Sequence, residues 1–197
     1  PESLVFMRGC FKGGYQGTHL ARFANVVGAP NIASMASVCY VPRANGSWIT
    51  HGYSPVPDYA YPPGCILVWG ANLAETRIGE HQQTVHSLEH GSKLLVIDPR
   101  KTRLSQKAEV WIQPRPGSDL ALALGMINVI INHELYDKDF VAHWTVGFEE
   151  LKNHVQEYPP EAVEKITWVK ADDIKKISIL YATSTPSVIQ LGNAIDH

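Results

Sequence analysis

Three apolar runs in this chain stop abruptly at a small cluster of Gly, Asn, Asp or Arg: CILVWGANLAET from Cys65, KLLVIDPRKTR from Lys93 and AEVWIQPRPGSD from Ala108. Short runs that are apolar throughout, not alternating, are strands buried on both faces, as in parallel sheets covered by helices. The polar clusters then collect at the carboxyl edge of the sheet, where α/β folds bind nucleotide-like ligands.

The rest of the chain supports that rhythm. Strand 65–69, a helix over about 76–90, strand 93–97, strand 109–112 and a helix over about 119–133 alternate as βαβ units, and a mostly parallel, Rossmann-like α/β sheet follows. Upstream, Leu4 to Met7 reads as a strand running into a Gly13-Gly14 turn, and His19 to Val27 as a helix ended by Gly28-Ala29-Pro30. Asn31 to Val41 shows no clear period, and Arg43 to His51 reads as a short helix. Pro55, Pro57, Pro62 and Pro63, interleaved with Tyr53, Tyr59 and Tyr61, form a stiff aromatic loop ahead of the first regular strand. Beyond Asn132 the chain turns mostly helical, with elements over Asp137 to Trp144, Phe148 to Tyr158 and from Ala171, before a last strand over Ser187 to Leu191. All 197 residues, 45% of them hydrophobic, are expected to form a single α/β domain with a helical C-terminal half.

Charge and cysteine usage narrow the function classes. A formal net charge of -2, with basic residues scattered along the chain, gives no sequence-independent grip on nucleic acid or on an acidic membrane surface. No apolar run reaches the roughly 18 residues of a membrane span, so no direct insertion is expected. Cys10, Cys39 and Cys65 are too few and too unevenly spaced for a disulfide framework or a zinc quartet, which favours a reducing, cytoplasmic setting. Pro1 opens the chain without an initiator Met, so the expected status is a piece of a longer protein, whose export stays open.

Each strand end carries residues suited to a ligand. Gly70 permits close backbone approach, Asn72 offers an amide donor and acceptor, and Glu75 and Thr76 follow as a helix begins. Turn and N-cap geometry explains the same residues equally well. Asp98-Pro99-Arg100 combines a carboxylate for sugar hydroxyls or a purine edge with a guanidinium that forks onto phosphate, or it is simply an Asp-Pro turn. Arg115, Gly117 and Asp119 close the third strand, and Asp119 matches the side-by-side donors of a guanine edge, while Ser118 or Asp119 also suits the N-cap of the following helix. GANLAE lacks the spaced third glycine of the dinucleotide fingerprint, which disfavours a standard NAD site. Cys39, among Ala, Ser, Met and Val, reads either as a soft metal ligand or as a small buried hydrophobe.

SVCYVPRANG, VWGANLAET, VIDPRKTR and above all the stretch from Arg115 to Thr167 resemble the dimethyl sulfoxide reductase family of molybdenum or tungsten enzymes, nearest its acetylene hydratase-like and thiosulfate or polysulfide reductase-like members. The resemblance implies an interior fragment that binds one guanine dinucleotide of a bis-molybdopterin guanine dinucleotide cofactor. It further implies Mo or W ligated by Cys39, and a 4Fe-4S cluster in an N-terminal region outside this chain. On the same basis Gly70, Asn72, Glu75 and Thr76 belong to the first cofactor loop, Asp98, Pro99 and Arg100 to the second, and Arg115, Gly117 and Asp119 to the third. Tyr40 stands where formate-oxidising members carry a His after the metal ligand, which argues against formate oxidation. A small-molecule substrate and an iron-sulfur electron-transfer subunit are the expected partners, and the fragment alone is expected to be inactive.

Overall fold

Every residue of β3, Cys65–Trp69, is buried, and the strand lies between two parallel neighbours, β4 (Lys93–Ile97) and β6 (Ser187–Leu191). β4 in turn pairs with β5 (Val110–Ile112), giving a four-stranded sheet of order β5-β4-β3-β6 in which every pairing is parallel. The register places Leu67 between Leu95 and Ile189. The computed structural model describes residues 1–9, 15–34 and 39–196. Cys10 and the expected Gly13-Gly14 turn lie outside them.

Strand periodicity sends alternate side chains to opposite faces, and both faces are covered. Cys65, Leu67, Trp69, Leu95, Ile97 and Ile112 pack on one face against Leu122 and Met126 of α5 (Asp119–Asn132), Val163 of α8 (Pro160–Thr167) and Ile174 and Ile177 of α9 (Ala171–Thr183). Ile66, Val68, Leu94 and Val96 face the other way, with Leu73 of α3 (Leu73–Thr76), Leu104, and Leu88 of α4 (Ile78–Glu89). This explains why β3 and residues 94–97 of β4 are apolar throughout. The chain steps outward from β3 to β4 to β5, then returns through its helices to place β6 on the far side of β3. The order therefore reverses between β3 and β6, and such a reversal opens a crevice at the carboxyl ends of the two strands.

The helices differ from the sequence expectation in three instructive places. The helix expected over about 76–90 is α4, Ile78–Glu89, and a separate short helix, α3, precedes it, because Arg77 leaves helical backbone (φ -144°, ψ 70°) and turns its guanidinium back to the sheet edge. The helix expected over Phe148 to Tyr158 is α7, Phe148–His154, followed by a 3-10 turn over Val155–Glu157; Val155 is fully buried and its carbonyl accepts a bond from the Asn128 amide at 2.8 Å. α8 lies outside the helices that periodicity marks, although Pro160 in its first turn is a start signal that the sequence does carry. α6, Lys138–Trp144, begins at an Asp137 cap whose carboxylate accepts from the Phe140 amide at 2.8 Å.

Residues Pro1–Pro55 and Val56–Ile195 form two compact units. In the first, β1 (Val5–Arg8) and β2 (Asn31–Ser34) pair in parallel around α1 (Tyr15–Val27), with Phe6 and Phe23 edge to face at 5.7 Å. β2 falls in the stretch for which no period is visible in sequence. α2, Tyr40–His51, starts three residues before the expected Arg43 and ends at Gly52, whose left-handed φ of 78° lets its N–H reach the Trp48 carbonyl.

Candidate functional site

The carboxyl edge of the four-stranded sheet brings together the loops after β3, β4, β5 and β6. At the reversal point the backbone is drawn tight. The Gly192 N–H donates to the Trp69 carbonyl at 2.8 Å, the Gly70 N–H donates to the Ile97 carbonyl at 2.8 Å, and a Cβ at Gly192 would stand 1.7 Å from the Gly70 carbonyl oxygen. Gly70 itself has φ +59°. Glycine is thus required at both strand ends, once by conformation and once by space. Arg77 ties the same corner, donating from its guanidinium to the Leu191 carbonyl at 3.2 Å.

Asn72 occupies the N-cap position of α3, but its side chain makes no capping bond; its backbone carbonyl receives the Glu75 and Thr76 amides and the Thr76 hydroxyl at 2.9–3.1 Å. The half-buried Asn72 amide makes no hydrogen bond among the described residues, whereas Thr76 spends its hydroxyl inside the turn and Glu75 points to solvent. Turn and cap geometry therefore accounts for Thr76 but leaves the Asn72 side chain available.

The second loop is rigid at Asp98 and open at Arg100. Asp98 is buried and folds into an Asx turn, its Oδ1 accepting from the Arg100 amide at 2.7 Å, while its own carbonyl accepts from the Trp111 indole at 2.9 Å. The Pro99 carbonyl accepts from the Gln113 side chain at 2.9 Å. Arg100 is exposed and in no ion pair among the described residues.

In the third loop Gly117 adopts φ +80° and the buried Ser118 hydroxyl donates to the Arg115 carbonyl at 2.6 Å, so Ser118 stabilises the turn, not the helix end. The Arg115 amide donates to the Thr167 carbonyl at 2.8 Å and its guanidinium lies 5.5 Å from the Trp168 ring centroid, which ties this loop to the end of α8. Asp119 is the first residue of α5, and its Oδ1 accepts from the Trp69 indole at 2.6 Å. Its other oxygen makes no hydrogen bond among the described residues. The carboxylate is oriented from below by β3 and keeps a free acceptor for something else.

Ten of the eleven sequence-derived candidates, all but Cys39, thus sit on three strand-end loops of one sheet edge or in the first turn of the helix that follows. Cys39 belongs to the other compact unit, as a half-buried residue at the N-cap position of α2. Sequence reasoning did not place Arg77, Trp168, Gly192 or Trp69 among the site residues. Gly192 is marked in sequence by its place after the last strand; Trp168 follows a helix that was not anticipated, and nothing local singles out Trp69. Among the described residues no three His, Cys, Asp or Glu side chains gather as a metal site, and no helix is long and apolar enough to cross a membrane.

A family model for molybdopterin oxidoreductases matches residues 15–195. The chain belongs to the molybdopterin oxidoreductase family. It is 43% identical to acetylene hydratase from Syntrophotalea acetylenica over 90% of this chain and 24% of that protein. Thiosulfate reductase molybdopterin-containing subunit from Salmonella typhimurium is 34% identical over 96% of this chain and 24% of its own length, and formate dehydrogenase H from Escherichia coli 32% identical over 89% and 25%. The solved structure of acetylene hydratase from Pelobacter acetylenicus superposes with a TM-score of 0.81 at 41% identity, covering 90% of this chain and 24% of that one. The chain therefore spans about a quarter of the length of the relatives it matches.

Proposed function

We propose that this chain is the domain of a larger molybdenum or tungsten enzyme that binds one guanine dinucleotide of a bis-molybdopterin guanine dinucleotide cofactor. The observation that carries the reading is the Asp119 carboxylate, held by the Trp69 indole with one oxygen uncommitted, at the sheet edge where the ends of β3 and β6 pack closely through Gly70 and Gly192. Guanine presents N1–H and N2–H side by side, and a carboxylate is the side chain that accepts both. Asn72 supplies an uncommitted amide donor and acceptor at the end of the neighbouring loop. Arg100, exposed on a loop braced by Trp111 and Gln113, supplies the planar fork suited to a pyrophosphate.

The residues present thus fit the group. When bound, the metal and its pterins supply the oxygen-atom transfer or water activation, and the loops hold, orient and neutralise the cofactor. Cys39 is assigned as the protein ligand to the metal, because a thiolate is a soft ligand suited to it and its position matches the family's ligand residue. In the full-length enzyme a small-molecule substrate would react there, with electrons passing to an iron-sulfur cluster and an iron-sulfur partner subunit.

A second reading has its own support: the 43% identity and the structural likeness to acetylene hydratases favour redox-neutral addition of water to a triple bond over electron transfer. Both readings are tested on the full-length protein. Turnover is assayed with acetylene and with sulfur oxyanions, and metal–sulfur coordination is read by X-ray absorption in wild type and Cys39→Ala. Loss of one sulfur ligand and of turnover is expected in the variant. Unchanged coordination and turnover would sink the assignment of Cys39, and the productive substrate separates hydration from oxygen-atom transfer.

A further inference from the structure

We infer that Trp69 is a positioning residue that sets base selectivity at the cofactor's nucleotide end by locking the Asp119 carboxylate. The inference rests on the reading of Asp119 as the guanine acceptor. Trp69 closes β3, is 6% exposed, and faces the layer of the sheet on which α5 packs. That placement is why an indole from position 69 reaches a carboxylate 50 residues further on.

The 2.6 Å bond joins a neutral donor to a carboxylate, the stronger, charge-assisted kind. It takes one lone pair of Oδ1 and stops the carboxylate from rotating about its Cβ–Cγ bond. What remains is Oδ2 and the outer lone pair of Oδ1, in one plane. A fork fixed in this way accepts the two adjacent donors of guanine. It gains only one bond from hypoxanthine, which lacks the 2-amino group, and it meets an acceptor at N1 of adenine. Without the indole N–H the carboxylate turns freely and loses the alignment that makes the second donor count. A tryptophan that is otherwise an ordinary core residue therefore acts on specificity through Asp119, without touching the base.

The test uses the full-length enzyme prepared without cofactor, with GMP and IMP as probes and binding measured by calorimetry. Wild type is expected to prefer GMP. Trp69→Phe, which keeps an aromatic filler but removes the N–H, is expected to weaken GMP by about tenfold and to move the GMP:IMP ratio toward one. Leu67→Ala, a core change two residues away on the same face, is expected to lower thermal stability while leaving that ratio unchanged. Asp119→Ala separates the two levels of the argument. If Asp119→Ala keeps the wild-type ratio, the guanine reading of Asp119 is wrong. If Asp119→Ala loses the preference while Trp69→Phe retains it, or lowers both affinities equally, the positioning role alone is overturned. Trp69→Leu gives the same readout should the Phe variant not fold.

Discussion

At Gly192 a single methyl group would stand 1.7 Å from the carbonyl oxygen of Gly70, against the Gly70–Ala71 peptide and with no flexible side chain to yield. Gly192→Ala is therefore expected to part the carboxyl ends of β3 and β6 and to cost about 3–5 kcal/mol, read as a fall in the unfolding midpoint. Gly46, with open space around the position of a Cβ, is the control and should accept Ala with little change. Cys65, at the other end of β3, illustrates a different constraint. Burial pushes its thiol up from 9.0 to about 11, with Lys93 partly opposing and Glu109 reinforcing the shift. The folded chain keeps a proton that the unfolded chain releases, so this contribution to stability is complete below about pH 9 and is lost as pH rises toward about 11. The alkaline fall in thermal midpoint across that window should be shallower in Cys65→Ala than in wild type; equal slopes would contradict it.

At the scale of the element, α5 carries the packing on one face of the sheet. Leu122 is fully buried beneath it, and Gly125 lets α8 approach so closely that a Cβ there would lie 2.9 Å from the Val163 side chain. Leu122→Ala should cost about 2–5 kcal/mol in equilibrium unfolding, and a loss under 1 kcal/mol would show that α5 is not tightly packed there. The strands over 65–69 and 93–97 are legible in sequence because burial on both faces leaves nearly uninterrupted apolar runs with polar stops, while 187–191, only partly buried, is marked by its β-branched residues and the Gly192-Asn193 stop. β2 is not, since Asn31 and Ile32 are exposed, Ala33 and Ser34 are only partly buried, and the stretch carries no such run. The break at Arg77 is equally hidden, because it depends on a carbonyl at Leu191, 114 residues away.

For the whole molecule the same distinction divides the site. Gly70, Asn72, Asp98, Arg100 and Asp119 are readable as strand-end residues, because a parallel sheet places the end of every strand at one edge. The braces behind them are not: Trp69 to Asp119, Trp111 to Asp98 and Arg115 to Trp168 are long-range pairs that exist only once the sheet and helices have assembled. Strand order supplies the rest, by setting β3 beside β6 and so bringing Gly70 and Gly192 together at the carboxyl edge of the sheet. The central claim is that the loops at this sheet edge hold a guanine nucleotide. Its most direct test is the GMP released by acid hydrolysis of the purified full-length enzyme, compared between wild type and Asp119→Ala. Wild type should release GMP, and the variant markedly less. A wild-type enzyme yielding no guanine nucleotide, or a variant retaining all of it, would contradict the account.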